Sequence, residues 1–251
     1  MSQNLYIITG ASRGMGLAIA EQLLGSNHTL LCISRNSNDA LAARAAMLGC
    51  QLEQWSLDLE YGIDISARLV QWLNSQDMGV FAQATLINNA GVIPRIAPLS
   101  ASDPVELSRA IRVGLEAPML LTAAFLRATE QWNIPRKVLN ISSGLGRRAM
   151  ASQAAYCAAK AGMDHFTRCL ALDESLKVDG AQVCALAPGV IDTDMQRQMR
   201  DADASVFPDQ QRFVNLKAHG QLTSPGEAAT QILAYLARDD FGRNPIGDLR
   251  D

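Results

Sequence analysis

The chain has 251 residues, of which 48% are hydrophobic and 19% charged, with a formal net charge of −3. That is apolar material for one large α/β core, and the scattered Lys and Arg residues make no basic stripe for nucleic acid or an anionic membrane surface. The five cysteines (Cys32, Cys50, Cys157, Cys169, Cys184) form no CxxC pair, and the three histidines (His28, His165, His219) stand apart, so reduced thiols and no metal site are expected.

From the start, MSQNLYIITG enters an apolar run without the basic and long apolar regions of a signal peptide. No later stretch approaches the ~20 apolar residues of a membrane span. A cytoplasmic protein with no membrane partner is the expectation. Residues 5–9 (LYIIT) read as a buried strand, and TGASRGMG (9–16) joins it to a helical pattern over 15–24. Gly10, Gly14 and Gly16 in that junction let the backbone turn tightly and approach a pyrophosphate at a helix N-terminus. A glycine triplet alone is an ordinary tight turn; between a first strand and a first helix it points to dinucleotide binding.

A second strand, TLLCIS (29–34), ends at SRN. An NAD site wants a carboxylate there for the ribose 2′-hydroxyl, whereas an NADP site wants a cation for the 2′-phosphate. Ser34 stands where the carboxylate would be and Arg35 follows, with Arg13 in the glycine loop on the other side. Either arginine alone is an ordinary solvated loop residue; together, with no acid at that strand end, they favour NADP(H).

Strand and helix then alternate: helix 38–48, a more polar strand 51–57, helix 64–76, strand 84–89, helix 104–130, strand 137–142, helix 153–178 and strand 181–187. The strand ends carry NNAG (88–91), NISSG (140–144) and APGVIDT (187–193), each readable as plain turn chemistry. All of them nevertheless fall at the carboxyl edge of a parallel sheet, where such folds bind ligands. Residues 192–222 break the rhythm, being polar with Met195, Met199, Phe207 and Phe213 and no clean period; a loop of this length inside a compact domain reads as a substrate lid. Ser224, Pro225 and Glu227 then form a capping box opening a helix over 225–237. The alternation predicts a single domain over 1–251, a Rossmann-type doubly wound parallel sheet with helices on both faces.

The stretch AAYCAAKAG (154–162) puts Tyr156 and Lys160 one helical turn apart on the same face. By itself this is a half-buried tyrosine beside a snorkelling lysine.

TGASRGMG, NNAG, a serine thirteen residues before YCAAK, and PGVIDT together resemble the short-chain dehydrogenase/reductase family, in the right order along nearly the whole chain. More narrowly, APMLLT (117–122), NISSG, AYCAAKAG, APGVIDTDMQ (187–196) and RFVNLKAHGQLTSP (212–225) resemble its benzil-reductase and sepiapterin-reductase-like branch. The resemblance implies that Tyr156 is the proton donor and acceptor, that Lys160 holds the nicotinamide ribose, and that Ser143, rather than Ser142, binds the substrate oxygen. It further implies Asp58 and Leu59 flanking the adenine, Ile191 and Thr193 at the carboxamide, and Leu145 lining the substrate. Gly10, Ser12, Arg13, Gly14, Met15, Gly16, Ser34, Arg35, Asn89, Ala90, Gly91, Pro188 and Gly189 complete the implied NADP(H) contacts. An adjacent ammonium and an oxidised nicotinamide are both expected to pull the phenol below its free pKa of about 10.

The implied activity is NADPH-dependent reduction of a small-molecule ketone, an aromatic or vicinal diketone giving a hydroxyketone. Reduction of a pteridine carbonyl or a 3-oxoacyl thioester is the alternative within enzymes, and a non-catalytic NADP-binding sensor the alternative outside them. A pterin would want a carboxylate, for which Asp192 and Asp194 are the candidates. The family packs its helices here at 104–130 and 153–178 against partners, which implies a homodimer or homotetramer; Met119, Leu120, Leu121, Phe125 and Leu126 supply apolar surface beyond one stripe. One departure stands out. Gly114 occupies the position of an asparagine that commonly holds a relay water, and its missing side chain is expected to leave room for extra water.

Overall fold

The computed structural model describes residues 2–251. Its elements in chain order are β1 (Gln3–Thr9), α1 (Gly14–Gln22), β2 (His28–Ser34), α2 (Asp39–Met47), β3 (Gln51–Ser56), α3 (Gly62–Asn74), β4 (Phe81–Asn88), α4 (Pro104–Ile111), α5 (Ala117–Ala128), β5 (Arg136–Ile141), α6 (Ala154–Ser175), β6 (Gln182–Ala187), α7 (Asp194–Arg200), α8 (Gln210–Ala218), α9 (Pro225–Leu236) and β7 (Ile246–Asp248). The strands form one sheet in the order β3-β2-β1-β4-β5-β6-β7, and every pairing is parallel. This is the single-domain doubly wound architecture that the alternation predicts.

Burial explains the strand sequences. The central strands are covered on both faces and read as continuous apolar runs, whereas β3 lies at the edge and alternates exposed with half-buried residues. One face packs Ile8, Leu30 and Leu139 under Ile19 of α1, Leu41 of α2 and Ile232 of α9. The other packs Leu5, Leu31 and Leu86 under Leu69 of α3 and Leu121 and Phe125 of α5. Leu121 and Phe125 are therefore core residues of this chain, and only Met119, Leu120 and Leu126 of the expected second face reach solvent.

The helix expected over 104–130 is interrupted. Residues Arg112–Glu116 form a π turn, with the Ala117 N–H donating to the Arg112 carbonyl five residues back. Pro118 has no N–H to offer the Gly114 carbonyl, so an uninterrupted helix would leave that acceptor unpaired there. The region 192–222 also differs from a featureless loop, since it folds into α7 and α8. Phe207 and Phe213 stack with ring centroids 5.7 Å apart and pack with Ile96 and Met199 into a small separate core. Helices of seven and nine residues are too short to reveal a period. The capping box at Ser224 is present in full.

Candidate active site

The strand order reverses between β1 and β4, and the carboxyl ends of these two strands are stitched together at this switch point. Thr9 Oγ1 accepts from the Asn89 and Ala90 N–H groups at 2.9 and 3.0 Å, while Asn89 Nδ2 donates to the Thr9 carbonyl at 2.9 Å. A cleft of about 440 Å³ opens here along the carboxyl ends of the strands. All the residues expected at the site line it, from Gly10 in the glycine loop to Thr193 before α7.

The glycine loop is built for close approach. Gly10 has φ of +71°, and a Cβ at Gly16 would collide with the Gly10 carbonyl. The loop delivers the N-terminus of α1, with Gly14, Met15 and Gly16, to the cleft. At the end of β2 the Ser34 hydroxyl is buried with no partner. Arg35 beside it is exposed and lines the cleft. Arg13 is engaged instead: its Nη1 donates to Asp194 on α7 at 2.7 Å. Asp58 lines the expected adenine end, but its carboxylate already caps Glu60 N and accepts from Arg109 Nη2 at 2.7 Å. Arg109, on α4, is a cleft residue that no motif marks.

The reacting end is assembled from β5 and α6. Asn88 and Asn140, neighbours on β4 and β5, bond each other at 2.8 Å, and Asn140 Nδ2 donates to Thr167 of α6 at 2.9 Å. This buried polar network fixes α6 against the strand ends that carry NNAG and NISSG. Successive serines after β5 turn apart. The Ser142 hydroxyl donates to buried Asp164, while Ser143 Oγ accepts from Leu145 N at 3.2 Å and lies beside the Tyr156 phenol.

Tyr156 is 8% exposed and Lys160 4%. Burial pushes the phenol up to about 12, with the Ser143 hydroxyl opposing, and drives the Lys160 ammonium down to about 8, with Asp164 opposing. The lowered phenol pKa expected from the sequence is therefore not a property of the chain by itself. Desolvation is the largest cause of the rise, and the Lys160 Nζ sits 5.9 Å from the Tyr156 ring centroid and donates to the Ile141 carbonyl at 2.6 Å.

Beyond Tyr156 the cleft is walled by Leu145, Met150, Met195, Met199 and Phe213, so part of the 192–222 segment forms its side. Asp192 and Asp194 are poor pterin anchors. Lys217 and Arg200 pair with the first, Arg13 and Arg197 with the second. Arg148 and Arg250 also line the cleft. At Gly114 the expected room is reduced, because a Cβ there would stand 3.0 Å from the Ala159 Cβ of α6. The glycine allows the two helices to touch.

Residues 4–204 match the short chain dehydrogenase family. The chain is 35% identical over 240 residues to the Bacillus cereus benzil reductase ((S)-benzoin forming), covering 96% of each. It is 32% identical over 259 residues to the Meriones unguiculatus sepiapterin reductase, covering 98% of this chain and 95% of that protein. Among solved structures, a metagenomic short-chain oxidoreductase in complex with NADP superposes with a TM-score of 0.72 at 25% identity, covering 98% of this chain and 95% of that one. The family match over residues 4–204 and the 35% identity along nearly the whole chain show that the chain belongs to the short-chain dehydrogenase/reductase family of oxidoreductases.

Proposed function

We propose that this protein is an NADPH-dependent carbonyl reductase that converts an aromatic or vicinal diketone to a hydroxyketone. The observation that carries the reading is the half-buried Ser143 beside the buried Tyr156 and Lys160, all lining one cleft with an apolar wall at the carboxyl edge of the sheet.

The residues present fit a nicotinamide dinucleotide. The glycine loop leaves space for a pyrophosphate at the N-terminus of α1, and the unpartnered Ser34 hydroxyl beside Arg35 suits a phosphorylated ribose. No carboxylate stands at the β2 end to favour NADH. When bound, the reduced cofactor supplies the hydride. Tyr156, kept protonated through the neutral range by its burial, gives its phenolic proton to the carbonyl oxygen. Ser143 donates a hydrogen bond to the same oxygen as charge develops on it, a contact typically worth about 3–4 kcal/mol. Lys160, charged below about pH 8, holds the ribose hydroxyls.

The benzil-reductase relatives favour a diketone substrate. A pteridine is less well supported, because Asp192 and Asp194 are already paired within the protein. We further propose that residues 192–222 act as the substrate lid, and that the chain works as a homodimer in the cytoplasm, where its five free cysteines stay reduced.

The test is NADPH oxidation by purified protein with benzil, a phenylpropanedione and simple ketones, with the product identified by chromatography. Stoichiometric benzoin is expected from benzil. Tight NADPH binding without reduction of any carbonyl would put the sensor reading first.

A further inference from the structure

The substrate end of the cleft holds a cation that the reaction above does not use. After β7 the chain turns so that Arg250 lines the cleft beside Gly144, the residue following Ser143. Its Nη2 lies 3.2 Å from where a Cβ on Gly144 would stand, and its Cγ lies 4.0 Å from the same position on Gly189. The Arg250 side chain therefore spans from the turn after β6, where its stem lies, to the serine turn, where its guanidinium lies.

It is held in place from the core outward. Buried Asp164 accepts from the Ser142 hydroxyl and from Arg147 Nε, the latter at 3.1 Å. Arg147 Nη1 stands 3.5 Å from Asp248 Oδ2. Asp248 in turn takes Arg250 in a two-pronged pair, Nε to Oδ1 at 2.8 Å and Nη2 to Oδ2. The Asp164 and Asp248 side chains are only 2% and 8% exposed, whereas that of Arg250 is 53% exposed. A guanidinium carries five N–H donors; this pair uses two and orients the plane, leaving three for another acceptor.

We propose that Arg250 selects substrates with a second oxygen acceptor next to the reacting carbonyl, either the neighbouring carbonyl of a 1,2-diketone or the carboxylate of a 2-oxo acid. The proposal rests on the carbonyl-reductase reading and adds the feature of the substrate that orients it. A planar, permanently charged fork with free donors suits a pair of oxygens on adjacent carbons. A lone ketone offers it nothing.

The test compares wild type with Arg250→Gln, which keeps the size but removes the charge, and with Asp248→Asn, which frees the guanidinium. Each is assayed for kcat/KM with acetophenone, benzil and benzoylformate. Separately, benzoylformate binding to the NADP⁺ complex is measured by calorimetry, which needs no turnover. Arg250→Gln is expected to lower kcat/KM about 10–100-fold more for the two-oxygen substrates than for acetophenone, and to weaken benzoylformate binding about tenfold or more. Asp248→Asn should move the same ratio in the same direction, by less. A larger loss for benzoylformate identifies the carboxylate as the preferred partner; a larger loss for benzil identifies the carbonyl. Equal losses for all three substrates, or none, overturn the proposal. Should the wild type reduce no carbonyl, the carbonyl-reductase reading fails, and calorimetry still decides Arg250: benzoylformate binding that is absent or indifferent to Arg250→Gln overturns its role, and binding that depends on it upholds it.

Discussion

Lys160 and Tyr156 share one face of α6, with the lysine Nζ 5.9 Å from the tyrosine ring centroid, and burial drives their pKa values apart, to about 8 and about 12. The phenol therefore stays protonated through the neutral range, and the lysine is the group that titrates within reach. In the role proposed above, its protonated form donates to the ribose hydroxyls, so cofactor binding would raise its pKa. Affinity should be full below about pH 8 and fall as pH rises through that value, by up to tenfold per unit. Titrating NADP⁺ binding between about pH 7 and 10 checks this, and a constant affinity contradicts it.

Cofactor preference should follow Arg35, which is exposed and lines the cleft, more than Arg13, which is already paired with Asp194. Arg35→Ala removes one charge-assisted phosphate contact of about 1.5–3 kcal/mol, so KM for NADPH should rise about 10–150-fold. KM for NADH should hardly move. Equal effects on both cofactors contradict a 2′-phosphate clamp at this position.

Gly114 meets Ala159 across the π turn, with only 3.0 Å between a Cβ placed there and the Ala159 Cβ. Both groups sit on helix backbone and cannot swing aside. Gly114→Ala should therefore destabilise the protein by about 1–3 kcal/mol despite alanine's better helix propensity. Adding Ala159→Gly should recover part of that loss, giving a coupling energy in a denaturation double-mutant cycle. Strict additivity would mean that the helices do not touch as described.

Association should use the apolar surface that the core leaves over. Met119 on α5, Val105 on α4 and Ile63 on α3 are 43%, 69% and 68% exposed. Sedimentation at micromolar concentration should give a homodimer, and Met119→Lys should shift it towards monomer. A wild-type monomer at that concentration contradicts the assignment.

Most of the architecture was legible because parallel strands buried on both faces write themselves as apolar runs, and five of the seven appear that way, with the polar edge strand β3 placed by the strand–helix rhythm. β7 did not, since Ile-Gly-Asp is too short to carry a period, and with it went the placement of Asp248 and Arg250. The π turn was hidden because it keeps the helical pattern of 104–130 while changing only the hydrogen bonding around Gly114 and Pro118. Motif spacing located the glycine loop, Ser143, Tyr156 and Lys160, all of which line one cleft. It could not report that Arg13 meets Asp194 or that Arg109 meets Asp58, because those partners lie 181 and 51 residues apart in the chain. Nor could it weigh desolvation against charge at Tyr156, which depends on how α6 packs.

The central claim is that Tyr156 donates the proton to the substrate oxygen, and Tyr156→Phe tests it with the least disturbance. The ring and its packing remain, and only the hydroxyl is lost. Single-turnover reduction of benzil by the NADPH complex, measured alongside NADPH affinity, should slow by about 10²–10⁴-fold while affinity stays within a few-fold of wild type. A variant that retains most of the wild-type rate contradicts the account.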